Sequence, residues 1–239
     1  MKIVITGGAS GLGAAITEKL AQDSDNFILF TFNSSQQSAI LFETLFKNTK
    51  GLKVDFNDES SIDKLLEEID RVQPDVLINN GITGFIQNHF HKIDPKEFIT
   101  SFERNIFPVI KITQKFIALS RKRKSGKIIT ILTSAIVNRP QIGWSEYTAN
   151  KSYLHMLSKS WAIENAPFGV TSNCISPSFM DTNLTRLIDR RLVETIVQSN
   201  PNKKLLSERE VADAVHFLVF SSTQINGINM IINAAEDLV

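Results

Sequence analysis

Three side chains, those of Ser134, Tyr147 and Lys151, have the types and spacing to do chemistry in this 239-residue chain. Tyr147 and Lys151 stand four positions apart in the segment YTANK, so on a helix the lysine lies one turn after the tyrosine on the same face. An ammonium there favours the ionised phenol, which predicts a pKa of Tyr147 below its ordinary value of about 10. Ser134, 13 positions before the tyrosine, could hydrogen-bond the same substrate oxygen from a neighbouring strand. Together the three side chains predict proton transfer to or from a carbonyl or an alcohol.

The composition is that of an ordinary globular protein. Hydrophobic residues make up 42% of the chain and charged residues 21%, and the formal net charge of +1 gives no reason to expect a nucleic acid or an anionic membrane as partner. Cys174 is the single cysteine, so an internal disulfide is excluded, and its apolar surroundings favour a buried, inert thiol. No run approaches the ~18 apolar residues of a membrane span, and the apolar start of the chain is too short for a signal peptide. We expect a cytoplasmic protein.

Strand and helix patterns alternate along the chain. Apolar stretches typical of strands lie at 2–6, 27–32, 51–55, 75–79, 127–133, 170–175 and 228–232. Between them the spacing predicts helices, among them one over 94–122 that bends near Pro108, one over 146–165, and one over 207–220 that opens with a capping box of Ser207 and Glu210. Residues 178–206 are less regular. The alternation predicts a single α/β domain over residues 1–239, with a parallel sheet covered on both faces.

Glycines cluster where the first predicted strand ends. Gly7, Gly11 and Gly13 give the segment TGGASGLG, which directly follows that strand and opens a helix. Glycines at such a turn let a pyrophosphate approach the backbone, while the helix N-terminus supplies N–H donors and a positive dipole. The placement therefore predicts a dinucleotide site at the first strand–helix turn.

This glycine spacing, the sequence Asn79-Asn80-Gly81, Asn105, Ser134 and the YTANK motif together resemble the short-chain dehydrogenase/reductases of the compact type, and within them the 3-oxoacyl-thioester reductase-like members. The resemblance covers nearly the whole chain. It implies a doubly wound Rossmann domain with about seven parallel strands in the order 3-2-1-4-5-6-7. It also implies hydride transfer between NAD or NADP and a carbonyl or secondary alcohol.

The resemblance assigns a role to each catalytic candidate. Tyr147 is expected to be the general acid and base. Lys151 would lower its pKa and hydrogen-bond the nicotinamide ribose, Ser134 would polarise the substrate carbonyl, and Asn105 would hold a water that links Lys151 to solvent. The residues expected to contact the cofactor, besides Tyr147 and Lys151, are Gly7, Ser10, Gly11, Leu12, Gly13, Asn33, Ser34, Asp55, Phe56, Asn80, Gly81, Pro177 and Thr182.

The chain departs from the family pattern in three places. Asn79-Asn80-Gly81-Ile82 stands where Asn-Asn-Ala-Gly is usual, Pro177-Ser178 lacks a glycine after the sixth strand, and Asn233-Ala234-Ala235 replaces Asp-Gly-Gly after the last strand. None of these changes removes a catalytic group. The first affects the path of the cofactor loop, and the last affects the C-terminal contacts.

The end of the second strand bears on the choice of cofactor. An acid there would accept hydrogen bonds from the ribose 2′-hydroxyl of NAD and repel a 2′-phosphate. The chain offers Asn33, Ser34 and Ser35 instead, which slightly favours NADP(H) over NAD(H). No arginine or lysine lies in the glycine loop or in 31–36 to strengthen that preference.

Other functions fit the sequence less well. His89 and His91 could begin a zinc site, but no further ligand cluster completes it, so no metal is expected. The basic run at 121–124 suits a helix C-terminus. A dinucleotide-binding regulator without turnover would not need Ser134 and Tyr147 together, and a sugar-nucleotide-modifying enzyme on a related fold usually has a different glycine spacing and a longer C-terminal part.

The substrate and the assembly are open at this stage. Acyl thioesters, steroid-like compounds, polyols and sugars all remain candidates. Trp144 and Phe179 flank the catalytic residues and either line the substrate cleft or pack in the interior. The helices at 94–122 and 146–166 carry more apolar residues than one sheet face needs, and by analogy with the family they predict a homodimer or homotetramer.

Overall fold

The computed structural model describes residues 1–137, 139–180 and 190–236. Within this part of the chain seven strands form one sheet: β1 (Lys2–Ile5), β2 (Phe27–Phe32), β3 (Thr49–Lys53), β4 (Val76–Asn79), β5 (Gly126–Ile131), β6 (Val170–Pro177) and β7 (Asn229–Ile232). All neighbouring strands are parallel, and their order across the sheet is β3-β2-β1-β4-β5-β6-β7. The predicted doubly wound sheet is therefore confirmed, and each strand begins and ends within two residues of its predicted bounds.

Helices cover both faces of the sheet. They are α1 (Gly11–Ala21), α2 (Gln36–Leu45), α3 (Glu59–Val72), α4 (Pro95–Asn105), α5 (Phe107–Arg123), α6 (Ser145–Asn165), α7 (Arg190–Ser199) and α8 (Glu208–Phe220). Ile3 and Ile5 of β1 pack in a core with α1 and α8, whereas Val4 points to the opposite face and packs with α3 and α5. All three side chains are fully buried because successive residues of a strand face opposite sides and both sides are covered.

The predicted helix over 94–122 is two helices. Asp94 caps the first, since its carboxylate accepts a hydrogen bond from the N–H of Lys96 at 2.9 Å. The chain breaks at Ile106, two residues before Pro108, because the proline has no N–H to donate to the carbonyl of Arg104 and its ring crowds that carbonyl. The break makes Asn105 the last residue of α4.

Two further predictions concern the C-terminal half. The capping box of α8 is present, with both the Ser207 and Glu210 side chains bonded to the main chain. The stretch 178–206, which the sequence analysis treated as irregular, contains α7. No helix among the described residues is long and apolar enough to cross a membrane.

The strand order decides where a ligand can bind. Between β1 and β4 the order reverses, so the chain leaves the carboxyl ends of these neighbouring strands in opposite directions. A crevice opens at that edge of the sheet, and ligands of open α/β sheets bind there. The glycine turn after β1, the Asn-Asn-Gly turn after β4 and the Thr-Ser pair after β5 all lie at this edge.

Candidate active site

A cavity of about 400 Å³ lies at the carboxyl ends of the central strands. It brings together the glycine turn and the catalytic candidates, which are far apart in sequence. The predicted site residues that line it are Gly7, Ser10, Gly11, Leu12, Gly13, Asn80, Gly81, Ser134, Tyr147, Lys151 and Pro177.

An adjoining cavity of about 150 Å³ lies at the end of β2 and shares Gly7 and Ser10 with the larger one. Asn33, Ser34 and Phe56 line it. Asp55 lies beside this region without lining it, and its carboxylate accepts hydrogen bonds from the N–H and the side chain of Asn57 at 2.9 and 2.8 Å. These bonds, with a weaker one from Asn33, lower the pKa of Asp55. The remaining predicted cofactor residue, Thr182, lies outside the described residues.

Close packing explains the glycines of the first turn. Gly7 has a φ of +66°, in the left-handed region. A Cβ atom at Gly13 would lie 1.9 Å from the carbonyl oxygen of Gly7 and 2.7 Å from the side-chain nitrogen of Asn80. The start of α1 can therefore approach the turn this closely only because Gly13 has no side chain.

Thr6 and Asn80 join the ends of β1 and β4. The hydroxyl oxygen of Thr6 accepts hydrogen bonds from the N–H groups of Asn80 and Gly81 at 2.9 and 2.8 Å. The side chain of Asn80 in turn donates to the carbonyls of Thr6 and Gly7 at 3.0 and 3.2 Å. The segment after β4, Asn80-Gly81, is thus fixed against the glycine loop despite its departure from the family pattern.

The N-terminus of α1 faces the cavity without a capping side chain. Ser10 is the N-cap residue, but its side chain makes no hydrogen bond to the first turn of the helix. The first N–H groups of a helix need acceptors and carry a partial positive charge. The region fits the pyrophosphate of a dinucleotide, because an anion at this end of α1 would supply those acceptors.

Tyr147 and Lys151 lie one turn apart on α6, and each is only 8% exposed. The ammonium of Lys151 donates a hydrogen bond to the carbonyl of Ile131 at 2.8 Å and lies 5.8 Å from the centre of the Tyr147 ring. Burial lowers the pKa of Lys151 to about 8. The arrangement on one helix face is as predicted.

The predicted direction of the Tyr147 pKa shift is wrong. Burial raises the pKa of Tyr147 to about 12; a hydrogen bond with the Thr133 side chain opposes this increase, and the nearby charge of Glu146 adds to it. The loss of hydration of the phenolate is the largest cause, and the ammonium of Lys151 hydrogen-bonds a main-chain carbonyl and not the phenol oxygen. A four-residue spacing does not show whether the side chains are buried. The prediction from the sequence therefore left out the effect of burial on the Tyr147 pKa.

Two hydroxyl residues follow β5 beside the phenol. Ser134 lines the large cavity as predicted, and Thr133 lines it too. Thr133 is the one that hydrogen-bonds Tyr147, while its oxygen also accepts from the N–H of Ala135 at 3.3 Å. The sequence analysis considered only Ser134, although the adjacent Thr-Ser pair at a strand end was a visible signal for both.

Asn105 holds the loop after β4. Its side-chain oxygen accepts hydrogen bonds from the N–H and the hydroxyl of Thr83, both at 2.8 Å, and its amide donates to the carbonyl of Gly84 at 3.2 Å. A small cavity of about 20 Å³ separates Asn105 from Tyr147 and Lys151. That volume has room for about one water molecule.

Aromatic side chains cluster beside Tyr147 at the large cavity. The ring centre of Phe85 lies 4.6 Å from that of Trp144 and 4.9 Å from that of Tyr147, and the Trp144 and Phe179 centres are 6.4 Å apart. Trp144 and Phe179 line the cavity, so both pack against neighbours and border the cleft. Phe85 was not singled out from the sequence, because only the folded loop shows which of its residues turns toward Tyr147.

His89 and His91 lie on the surface with ring centres 5.9 Å apart. Among residues 1–137, 139–180 and 190–236 there is no group of three or more His, Cys, Asp or Glu side chains that could hold a metal ion.

Comparison with known proteins places the chain in a family. The family model for short chain dehydrogenases matches residues 1–192. The 3-oxoacyl-(acyl-carrier-protein) reductase FabG of Escherichia coli K12 is 32% identical over 218 residues, which cover 90% of this chain and 88% of that protein. The acetoacetyl-CoA reductase of Synechocystis is 32% identical over 241 residues, which cover 98% and 95%.

A solved structure shows the same fold. The crystal structure of 3-ketoacyl-(acyl-carrier-protein) reductase from Brucella melitensis, complexed with NADH, matches with a TM-score of 0.89 at 20% identity and covers 99% of this chain and 98% of that one. At that identity the match bears on the fold alone. With the family model spanning most of the sequence and two relatives aligned along nearly its whole length, this chain belongs to the short-chain dehydrogenase family.

Proposed function

We propose that this protein reduces 3-oxoacyl thioesters with NADPH, using Tyr147 as the proton donor, and oxidises the corresponding alcohols in the reverse direction. As a member of the family it is an NAD(P)-dependent oxidoreductase of carbonyl and secondary alcohol groups. One observation carries the proposal: Tyr147, Lys151 and Ser134 line the same cavity as the glycine turn. The substrate class rests on the activities by which the two relatives are named.

Each catalytic residue of the cavity has a separate role in the proposed reaction. A bound nicotinamide supplies the hydride in the reduction and accepts it in the oxidation. The Tyr147 hydroxyl donates its proton to the substrate oxygen, and a phenol with a pKa of about 12 is fully protonated at neutral pH. Ser134 holds the substrate oxygen, and Thr133 orients the phenol. Lys151 returns a proton to Tyr147 from the small cavity that it shares with Asn105.

The adjoining cavity supports NADPH as the preferred cofactor. Asn33, Ser34 and Ser35 line it, and none of the described residues that line it carries a carboxylate. A 2′-phosphate would therefore meet amide and hydroxyl donors. We expect a higher kcat/KM for NADPH than for NADH, and a clear advantage for NADH would contradict the preference.

The cofactor site would be held by the groups already described. The N–H groups at the start of α1 would receive the pyrophosphate, and Gly81 and Pro177 would border the nicotinamide half. We also propose that the protein works in the cytoplasm as a homo-oligomer. The free thiol of Cys174 is buried, which fits a reducing compartment.

A panel of carbonyl compounds with NADPH consumption as the readout tests the function. We expect turnover with acetoacetyl-CoA and longer 3-oxoacyl thioesters. In Tyr147→Phe turnover should fall by about 100-fold or more, because the proton donor is lost, while NADPH binding is retained. A variant that keeps the wild-type rate would refute the role of Tyr147, and turnover confined to other carbonyls would refute the thioester assignment alone.

A further inference from the structure

Glu146, the residue directly before Tyr147, is a carboxylate buried inside the protein. It is 1% exposed, although it lies in the first turn of a helix whose next turns are partly on the surface. Moving a carboxylate out of water is costly unless several donors replace the lost hydration. The contacts of Glu146 therefore need to be strong, and they indicate what the residue does.

Three segments of the chain donate to this carboxylate. The hydroxyl of Ser101 on α4 and the amide of Asn150 on α6 donate to one oxygen, the Asn150 bond being 2.8 Å long. The N–H of Ile86, in the loop after β4, donates to the other oxygen at 3.3 Å. All of these described partners are uncharged, so the carboxylate joins α4, α6 and the loop without an ion pair.

The same contacts lead to Asn105. The hydroxyl oxygen of Ser101 accepts from the amides of Asn150 at 3.0 Å and of Asn105 at 3.3 Å. Asn105 in turn bonds Thr83 and Gly84 in the loop that carries Phe85. Glu146, Asn105, Tyr147 and Lys151 also line one small cavity. A continuous set of hydrogen bonds thus connects Glu146 through Ser101 with Asn105, on the far side of the small cavity from Tyr147.

We propose that Glu146 is a positioning residue for the reaction, whose carboxylate fixes Asn105 and the loop of Phe85 relative to Tyr147. This inference rests on the proposed role of Tyr147 as proton donor. Glu146 itself does not touch the substrate in this scheme. It acts through Ser101 and Ile86, and its negative charge beside the phenol opposes ionisation of Tyr147.

Among the residues that the structure describes, the charged and titratable groups near Tyr147 come from two elements. Glu146 and Lys151 lie on α6, and Cys174 on β6 faces Lys151. The segment after β5 contributes the uncharged Thr133, and the contacts from α4 and from the loop after β4 are uncharged as well. Removing the Glu146 charge should consequently lower the pKa of Tyr147, because the phenolate then has one fewer like charge next to it.

Tyrosine titration measures this effect without substrate or cofactor. The chain has two tyrosines, so in a Tyr153→Phe background the ultraviolet absorbance of tyrosinate reports Tyr147 alone. Glu146→Gln should move this titration to lower pH, and circular dichroism at each pH verifies that the protein stays folded. Glu164→Gln, an exposed acid on the same helix, is the matched control and should leave the titration unchanged. An unchanged titration in Glu146→Gln would overturn the electrostatic part of the proposal.

Ser101→Ala separates position from charge, since it keeps the carboxylate but breaks the bond that leads to Asn105. We expect kcat to fall about tenfold or more in both Glu146→Gln and Ser101→Ala, because small displacements of catalytic groups are costly. Only Glu146→Gln should shift the tyrosinate titration, because Ser101→Ala leaves the charge beside Tyr147 in place. Wild-type kcat in Ser101→Ala would overturn the positioning role, and Ser101→Ala still tests that role if Glu146→Gln does not fold. Full activity in Tyr147→Phe would instead refute the proposed function, so the two failures are distinguishable.

Discussion

At the scale of single residues, Lys151 is the group whose charge should control the pH range of the reaction. Burial lowers its pKa to about 8, so the side chain is an ammonium below that pH and a neutral amine above it. The ammonium is the form that can return a proton to Tyr147. We expect kcat for reduction to fall as the pH rises through about 8.

Lys151→Arg provides the comparison for this pH profile. A guanidinium stays protonated throughout the accessible range, so any activity that the variant retains should not fall near pH 8. The measurement is kcat against pH at saturating NADPH and 3-oxoacyl thioester. A wild-type profile that stays flat well above pH 8 would contradict the role given to the ammonium.

The same burial has a consequence for stability. The pKa of Lys151 is lower in the folded protein than its ordinary value of 10.5, so the unfolded chain binds more protons between these two values. Folding is therefore penalised below about pH 8, and the penalty disappears as the pH rises toward 10.5. Lys151→Met should raise the melting temperature at pH 7 while it abolishes turnover, and a lower melting temperature would show that the bond to Ile131 outweighs the cost of burial.

At the scale of elements, the turn between β1 and α1 should tolerate no side chain at Gly13. A Cβ atom there would meet the Gly7 carbonyl at 1.9 Å, so Gly13→Ala must move the helix away from the turn. We expect a loss of about 1–3 kcal/mol of stability and about tenfold or more weaker NADPH binding, because the charge-assisted bonds to the pyrophosphate lengthen. Ala14→Gly is the control, since it costs only helix propensity, about 1 kcal/mol. Calorimetry and fluorescence titration measure both quantities, and unchanged binding in Gly13→Ala would exclude α1 as the pyrophosphate site.

Elements also show what the sequence could and could not predict. The glycine turn and the spacing of Tyr147 and Lys151 are local patterns, and the structure places their residues around one cavity as expected. Pro108 predicted a bend within one helix over 94–122, whereas the structure has two helices that are separated at Ile106. The contacts of Glu146 join residues that are 45 and 60 positions apart, so no local pattern could indicate them. Likewise, the direction in which the Tyr147 pKa is shifted depends on burial, which only the packed structure shows.

At the scale of the whole molecule, the proposed homo-oligomer can be tested at the exposed apolar side chains on α4 and α6. Ile99 is 63% exposed, Met156 62% and Ile163 77%, and large apolar side chains left in water favour association. By analogy with the family, these helices would pair across a twofold axis.

We expect a dimer or tetramer by analytical ultracentrifugation, and Met156→Glu with Ile163→Glu should lower the mass to that of a smaller species. Ile40→Glu on α2, where the isoleucine is 56% exposed, is the matched control and should leave the mass unchanged. A wild-type protein that is monomeric at micromolar concentration would refute this interface, because burying these side chains should hold the copies together under those conditions.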